Sequence, residues 1–201
     1  PPRSTLFPYT TLFRSREIAM VGATVCWCPT SNYYLIGETF KIEAALKHGT
    51  NVVIGTDSTM SGAVNLLSEF VTIRKYYPQL DMKEVYRMVT QNAVKALYLP
   101  VRYASLNIEN TDNLLLTDLL VNNPFENLLV LDPSHIKLLV VDGIPRYGDI
   151  EYLEHLGIAN DNYSVFRTGN KEKFVLGDPM DINDSIDNVL GYHKDFPYLP
   201  F

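Results

Sequence analysis

The sequence lacks most of the residue groupings from which metal sites and redox scaffolds are built. Its two cysteines, Cys26 and Cys28, stand one residue apart. That spacing excludes a disulfide framework, and a C-x-C pair alone cannot complete a zinc site. The histidines His48, His135, His155 and His193 form no H-x-H pair and no H-E-x-x-H helix. Each is read as a structural or surface side chain, since lone histidines seldom ligate. Gly55, Gly62 and Gly143 compose no phosphate-binding loop, and no G-x-S-x-G elbow occurs. Positive charge is in deficit: 17 Lys and Arg against 23 Asp and Glu give −6. Nucleic acid and anionic membrane surfaces are therefore excluded as expected partners. No apolar run approaches the roughly 20 residues that span a bilayer. At 201 residues the chain also falls short of the about 250 that a whole (β/α)8 barrel needs.

What is present reads as globular: 46% apolar and 20% charged residues. The exception is Pro1 to Ser15, PPRSTLFPYTTLFRS, which has no acidic residue and no helical or strand period. It resembles a translated sequencing adapter and is set aside as non-native. The expectation is that the native part begins near Arg16 and is a fragment. Setting aside Arg3 and Arg14 makes the remainder more acidic still.

Residues 16–22 fit a helix end stopped by Gly22. Residues 24–28, TVCWC, read as a buried strand with Cys28 as an inert core thiol and Trp27 packing on the other face. Pro29 then opens a loop of turn-formers, PTSN. Residues 39–48 predict a helix capped by Thr39 and closed at His48-Gly49. Residues 51–55, NVVIG, predict a second short strand. A helix over 65–76 places Leu66, Leu67, Phe70 and Ile73 on one side. Asp81 with Glu84 reads as a capping box for another helix through Leu97. Beyond residue 100 the pattern changes to short strands at 113–118, 127–131 and 136–142, divided by turn residues. Asp142-Gly143 signals a hairpin whose second arm, carrying Pro145, belongs on an edge. A short helix fits 149–157 and another 181–190. The stretch DPMDINDSIDN (178–188) lacks the glycine and final glutamate of a calcium loop and reads as a helix cap.

The strand-helix-strand-helix order over 24–76 implies parallel pairing with a right-handed crossover. Both strands end in polar clusters, CPTSN and GTDS, and sites in such folds lie at the C-terminal strand ends. This points to Asn32 and Asp57. An ionised carboxylate at a strand end suits a metal ligand or a proton acceptor for an activated water. It equally suits a cap on the backbone N–H groups of Ser58 or Thr59. For Asn32 the local alternative is an Asx turn.

CPTSN, AALKHGTNVVIGTDS, SGAVNLLSEF and TQNAVKAL, in this order, resemble the C-terminal portion of the metal-dependent amidohydrolase superfamily. The resemblance implies an α/β fold: strands seven and eight of a (β/α)8 TIM barrel with their helices over 16–100. It also implies part of a small β-sandwich over 101–150, leaving 151–201 as a C-terminal extension. It implies hydrolysis of C–N bonds, either in amides and cyclic amides or by deamination of an amino-substituted ring. Asp57 matches the strand-eight aspartate that binds metal or shuttles a proton, and Asn32 matches the substrate end of the barrel. A divalent metal, expected to be zinc, and a small-molecule substrate follow from the same likeness.

The departures are the missing H-x-H, the missing strand-four ligand and the missing histidines of strands five and six. The glycine-rich turn before the sandwich is degenerate, IENTDNLLLTD. The fragment itself is therefore expected to be inactive. A non-catalytic interaction module retaining the fold is the alternative reading, and a nucleotide-binding domain a weaker one, since no phosphate loop exists. A cytoplasmic location, with a signal peptide left open, and a homo-oligomeric parent complete the expectations. With only two barrel strands, Val25, Trp27, Val52 or Ile54 should lie exposed on one side.

Overall fold

The computed structural model describes residues 15–107 and 112–196. The adapter-like segment up to Arg14, and Ile108 to Thr111 of the degenerate turn, lie outside the described residues. The chain divides into two compact units, residues 1–107 with 123–129, and residues 108–122 with 130–201. Among the described residues no helix is long and apolar enough to cross a membrane.

The first described element is α1 (Ser15–Met20), and Gly22 takes φ 66° just past it. Then β1 (Thr24–Trp27) and β2 (Asn51–Ile54) pair in parallel, Val25 against Val52 and Trp27 against Ile54. Between them run α2 (Pro29–Ile36) and α3 (Ile42–Lys47). The PTSN loop expected after β1 is thus a helix. Pro29 sits in its first turn, where the missing N–H costs nothing and the fixed φ suits the helix. The expected cap Thr39 is not at the start of α3, which begins only after Lys41.

Helices α4 (Leu66–Tyr76), α5 (Met82–Val89) and α6 (Gln91–Ala96) follow. Asn65 caps α4 by accepting from Ser68 N–H, and Asp81 caps α5 by accepting from Lys83 N–H. The single helix expected from Asp81 to Leu97 breaks at Thr90, which has φ −123° and ψ −91°. Trp27, Ile42, Val52, Ile54, Phe70, Ile73, Met82, Val85 and Met88 form one buried cluster. At about 1.5–3 kcal/mol for each large side chain, this cluster is what holds the helices to the strands.

The face expected to lie open is therefore the covered one. Trp27 is 1%, Val52 0% and Ile54 8% exposed. Strand alternation sends the intervening residues the other way, and there Cys26 is exposed and its neighbour Val53 only half-buried. The strand expected at 127–131 is also absent. Asn123 instead caps α7 (Pro124–Asn127), accepting from the Phe125 and Glu126 N–H groups. Phe125, Leu128 and Leu129 pack on the first unit's core.

The second unit is one antiparallel sheet of five strands, ordered β3-β4-β5-β7-β6. These are β3 (Leu114–Thr117), β4 (Ile136–Val141), β5 (Ile144–Asp149), β6 (Tyr163–Thr168) and β7 (Lys171–Leu176). Residues on either side of position 150 thus share one sheet. The hairpin at Asp142-Gly143 forms with φ 52° and 75°, the left-handed pair a two-residue turn requires. Its second arm is not an edge: β5 lies between β4 and β7. Pro145 is accommodated because β7 pairs with β5 only over Tyr147 to Asp149. Helix α8 (Glu151–His155) buries Leu153 with Leu138 and Phe174. Asp178 caps α9 (Pro179–Leu190) through the Met180 and Asp181 N–H groups, so the Asp-rich stretch is a cap and helix, as read.

Candidate functional site

Asp57 stands three residues beyond the end of β2 and is exposed, with φ 58°. A non-glycine residue in that left-handed region is uncommon, although aspartate tolerates it better than most. The following loop bends tightly: Gly62 N–H donates to the Ser58 carbonyl at 2.6 Å. A Cβ on Gly62 would lie 1.8 Å from the Thr56 carbonyl oxygen, so only glycine fits. The local cap in this loop is made by Ser58, whose Oγ accepts from Met60 N–H at 3.2 Å. Asp57 is turned elsewhere. Its Oδ2 accepts a 2.5 Å hydrogen bond from Ser31 Oγ, and Ser31 also contacts Ser61 Oγ at 3.2 Å.

Ser31 is fully buried in the first turn of α2, so the helix start of one strand-end fixes the carboxylate of the other. That helix start is itself anchored from α4. Glu69 Oε2 accepts from Thr30 N–H at 3.2 Å and from Thr30 Oγ1 at 2.8 Å. Glu69 is 0% exposed, and burial holds its carboxyl above the usual glutamate range against the pull of the Thr30 hydrogen bonds.

Asn32, the next residue along α2, makes no Asx turn. Its Oδ1 accepts from Thr39 Oγ1 at 2.8 Å, and Thr39 accepts in turn from Trp27 Nε1 at 2.8 Å. Thr39, expected as a helix cap, is the relay between the two. The structure thus joins Asp57 to Ser31 and Asn32 to Thr39. Ser31, Ser61 and Glu69 were not among the expected site residues. One signal for Glu69 was present: it falls on the apolar face of α4, beside Phe70 and four residues before Ile73, where an acid needs a partner.

Cys28 is not a strand-core residue. It stands just before α2, makes no side-chain capping hydrogen bond and is half-buried, while Cys26 is exposed. Burial pushes the Cys28 thiol up to about 12, aided by the Cys26 thiol beside it and by the Asp57 and Glu69 carboxylates. Among the described residues, no group of three or more His, Cys, Asp and Glu side chains converges to hold a metal ion. The donors among the described residues therefore do not amount to a catalytic metal centre.

The model of the amidohydrolase family matches residues 8–145, more than half of the sequence. The chain belongs to the amidohydrolase family. It is 33% identical over 90 residues to the 5-methylthioadenosine/S-adenosylhomocysteine deaminase of Pyrococcus abyssi, covering 41% of this chain and 21% of that protein. It is 33% identical over 82 residues to the aminodeoxyfutalosine deaminase of Deinococcus radiodurans, covering 40% and 20% respectively. This amidohydrolase chain thus spans about a fifth of the length of the curated relatives it matches. Among solved structures it is similar to an adenosine deaminase from Xanthomonas campestris with bound zinc. There the TM-score is 0.59 at 22% identity, covering 66% of this chain and 34% of the other. That likeness shows the amidohydrolase fold, of which β1 and β2 with their helices form a part.

Proposed function

We propose that this chain supplies the strand-seven and strand-eight portion of an amidohydrolase that hydrolyses C–N bonds of a small molecule. The reaction is amide or cyclic-amide hydrolysis, or deamination of an amino-substituted ring; the two deaminase relatives favour deamination. The observation that carries this reading is Asp57. It is an exposed carboxylate in a strained conformation at the C-terminal end of β2, held by a buried hydroxyl. Strain concentrates where a site requires a fixed geometry.

In this reading Asp57 accepts the proton of the attacking water. Ser31 engages Oδ2, and Oδ1 takes the proton in this reading. Asn32, braced by Thr39, lines the substrate side. A divalent ion, zinc by analogy with the adenosine deaminase, would need ligands beyond the described residues.

The test has two arms. In a longer protein carrying this segment, Asp57→Asn should lower kcat for ammonia release by about 10²- to 10⁴-fold, the usual worth of a positioned base; undiminished turnover would overturn the assignment. The 201-residue chain should by itself release no ammonia and bind no stoichiometric zinc. Tight zinc binding that is lost on Asp57→Ala would contradict the reading of its donor set.

A further inference from the structure

We propose that Cys26 and Cys28 form a two-thiolate site for monovalent copper. Two residues apart at the end of one strand, their side chains leave the backbone on the same side. The chain opposite confirms that they converge. A Cβ built on Gly55 would lie 2.7 Å from Cys26 Sγ and 3.1 Å from Cys28 Sγ. Both sulfurs therefore lean over the same point on the neighbouring segment. The pair is reachable, because Cys26 is exposed and Cys28 half-buried.

The number of donors selects the ion. Structural zinc takes four ligands, and iron–sulfur clusters commonly take four thiolates. Among the described residues no third His, Cys, Asp or Glu completes a larger group. Thiolates prefer soft ions, and monovalent copper is satisfied by two sulfurs in a near-linear arrangement. Binding breaks two S–H bonds, forms two Cu–S bonds and releases two protons to solvent; the copper stays monovalent. A strongly thiophilic ion displaces both thiol protons.

The sequence contains only these two cysteines, so the test is clean. The 201-residue chain, reduced and kept anaerobic, is titrated with copper(I) delivered as its complex with a chromogenic chelator. One equivalent per chain should be withheld from the chelator. Cys26→Ser and Cys28→Ser should each weaken binding by more than the roughly 10- to 100-fold that an outer-shell change costs. Zinc offered under the same competition should not be held. Far-UV circular dichroism checks each variant, and the alanine variant replaces any serine variant that loses its fold. Wild-type copper affinity in either folded single variant would overturn the proposal. So would zinc held as tightly as copper, or one copper per two chains with copper-dependent dimerisation.

Discussion

Ser31, fully buried, donates a 2.5 Å hydrogen bond to the exposed carboxylate of Asp57. The pair ties the first turn of α2 to the loop after β2 across 26 residues of sequence. Hydrogen bonds to charged groups contribute about 1.5–3 kcal/mol each. Ser31→Ala is therefore expected to destabilise the first unit by about 1–3 kcal/mol in urea denaturation. No loss of stability would mean that Asp57 is held by the loop alone.

Gly62 is expected to tolerate no side chain. Its Cβ would meet the Thr56 carbonyl oxygen at 1.8 Å, and backbone cannot yield as a flexible side chain does. Gly62→Ala should cost about 1–3 kcal/mol or more, as overpacking does, and lower the melting temperature. A neutral result would show that the loop re-forms around the new methyl group.

Glu69 gives stability a specific pH dependence. Its folded-state pKa is raised by burial, so the native state binds more protons than the unfolded state between the two values. The contribution is fully present below the unfolded value of about 4.5 and is lost as pH rises through the folded one. Glu69→Gln removes the titration while keeping an acceptor for Thr30. The stability of the variant relative to the wild type should therefore improve from pH 4 to pH 7. A difference that stays constant across that range would show that Glu69 does not titrate in it.

Lys173 in the second unit is 0% exposed, 2.5 Å from Asp149 and 2.7 Å from the Ile136 carbonyl oxygen. Removing one partner strands a buried charge, at a cost of about 3–5 kcal/mol. Lys173→Met should thus be strongly destabilising, and Lys173→Met with Asp149→Leu should recover most of the loss. Thermal melts of both variants measure this, and a double variant as unstable as the single one would show that the pair is not the reason.

Several elements were readable before the structure because their causes are local. The short apolar runs 24–28 and 51–55 were strands, Asn65 and Asp81 began helices, and Asp142-Gly143 turned a hairpin. PTSN was misread because a proline in the first turn of a helix looks like one in a loop, and 127–131 because Asn123-Pro124 starts a short helix just ahead of it. The same letters serve a loop and a helix start, and packing decides between them. The hairpin β6–β7 escaped notice although Thr168-Gly169-Asn170 is a turn sequence, with Gly169 at φ 57°. Its partner, β5, lies in a region treated as a different segment. The positions of Asp57 and Asn32 beyond the two strands followed from the sequence, but their hydrogen-bond partners Ser31 and Thr39 did not.

The sequence by itself determined the pairing of two short parallel strands, their polar C-terminal ends and a carboxylate at one of them. It did so because hydrophobic period and turn chemistry act over a few residues. Only the tertiary structure decided which hydroxyl holds Asp57, which buried acid anchors Thr30 and which face of the strands is covered. Those contacts join residues 26 to 39 positions apart. No local propensity specifies such pairs; close packing of the helices against one strand face selects them.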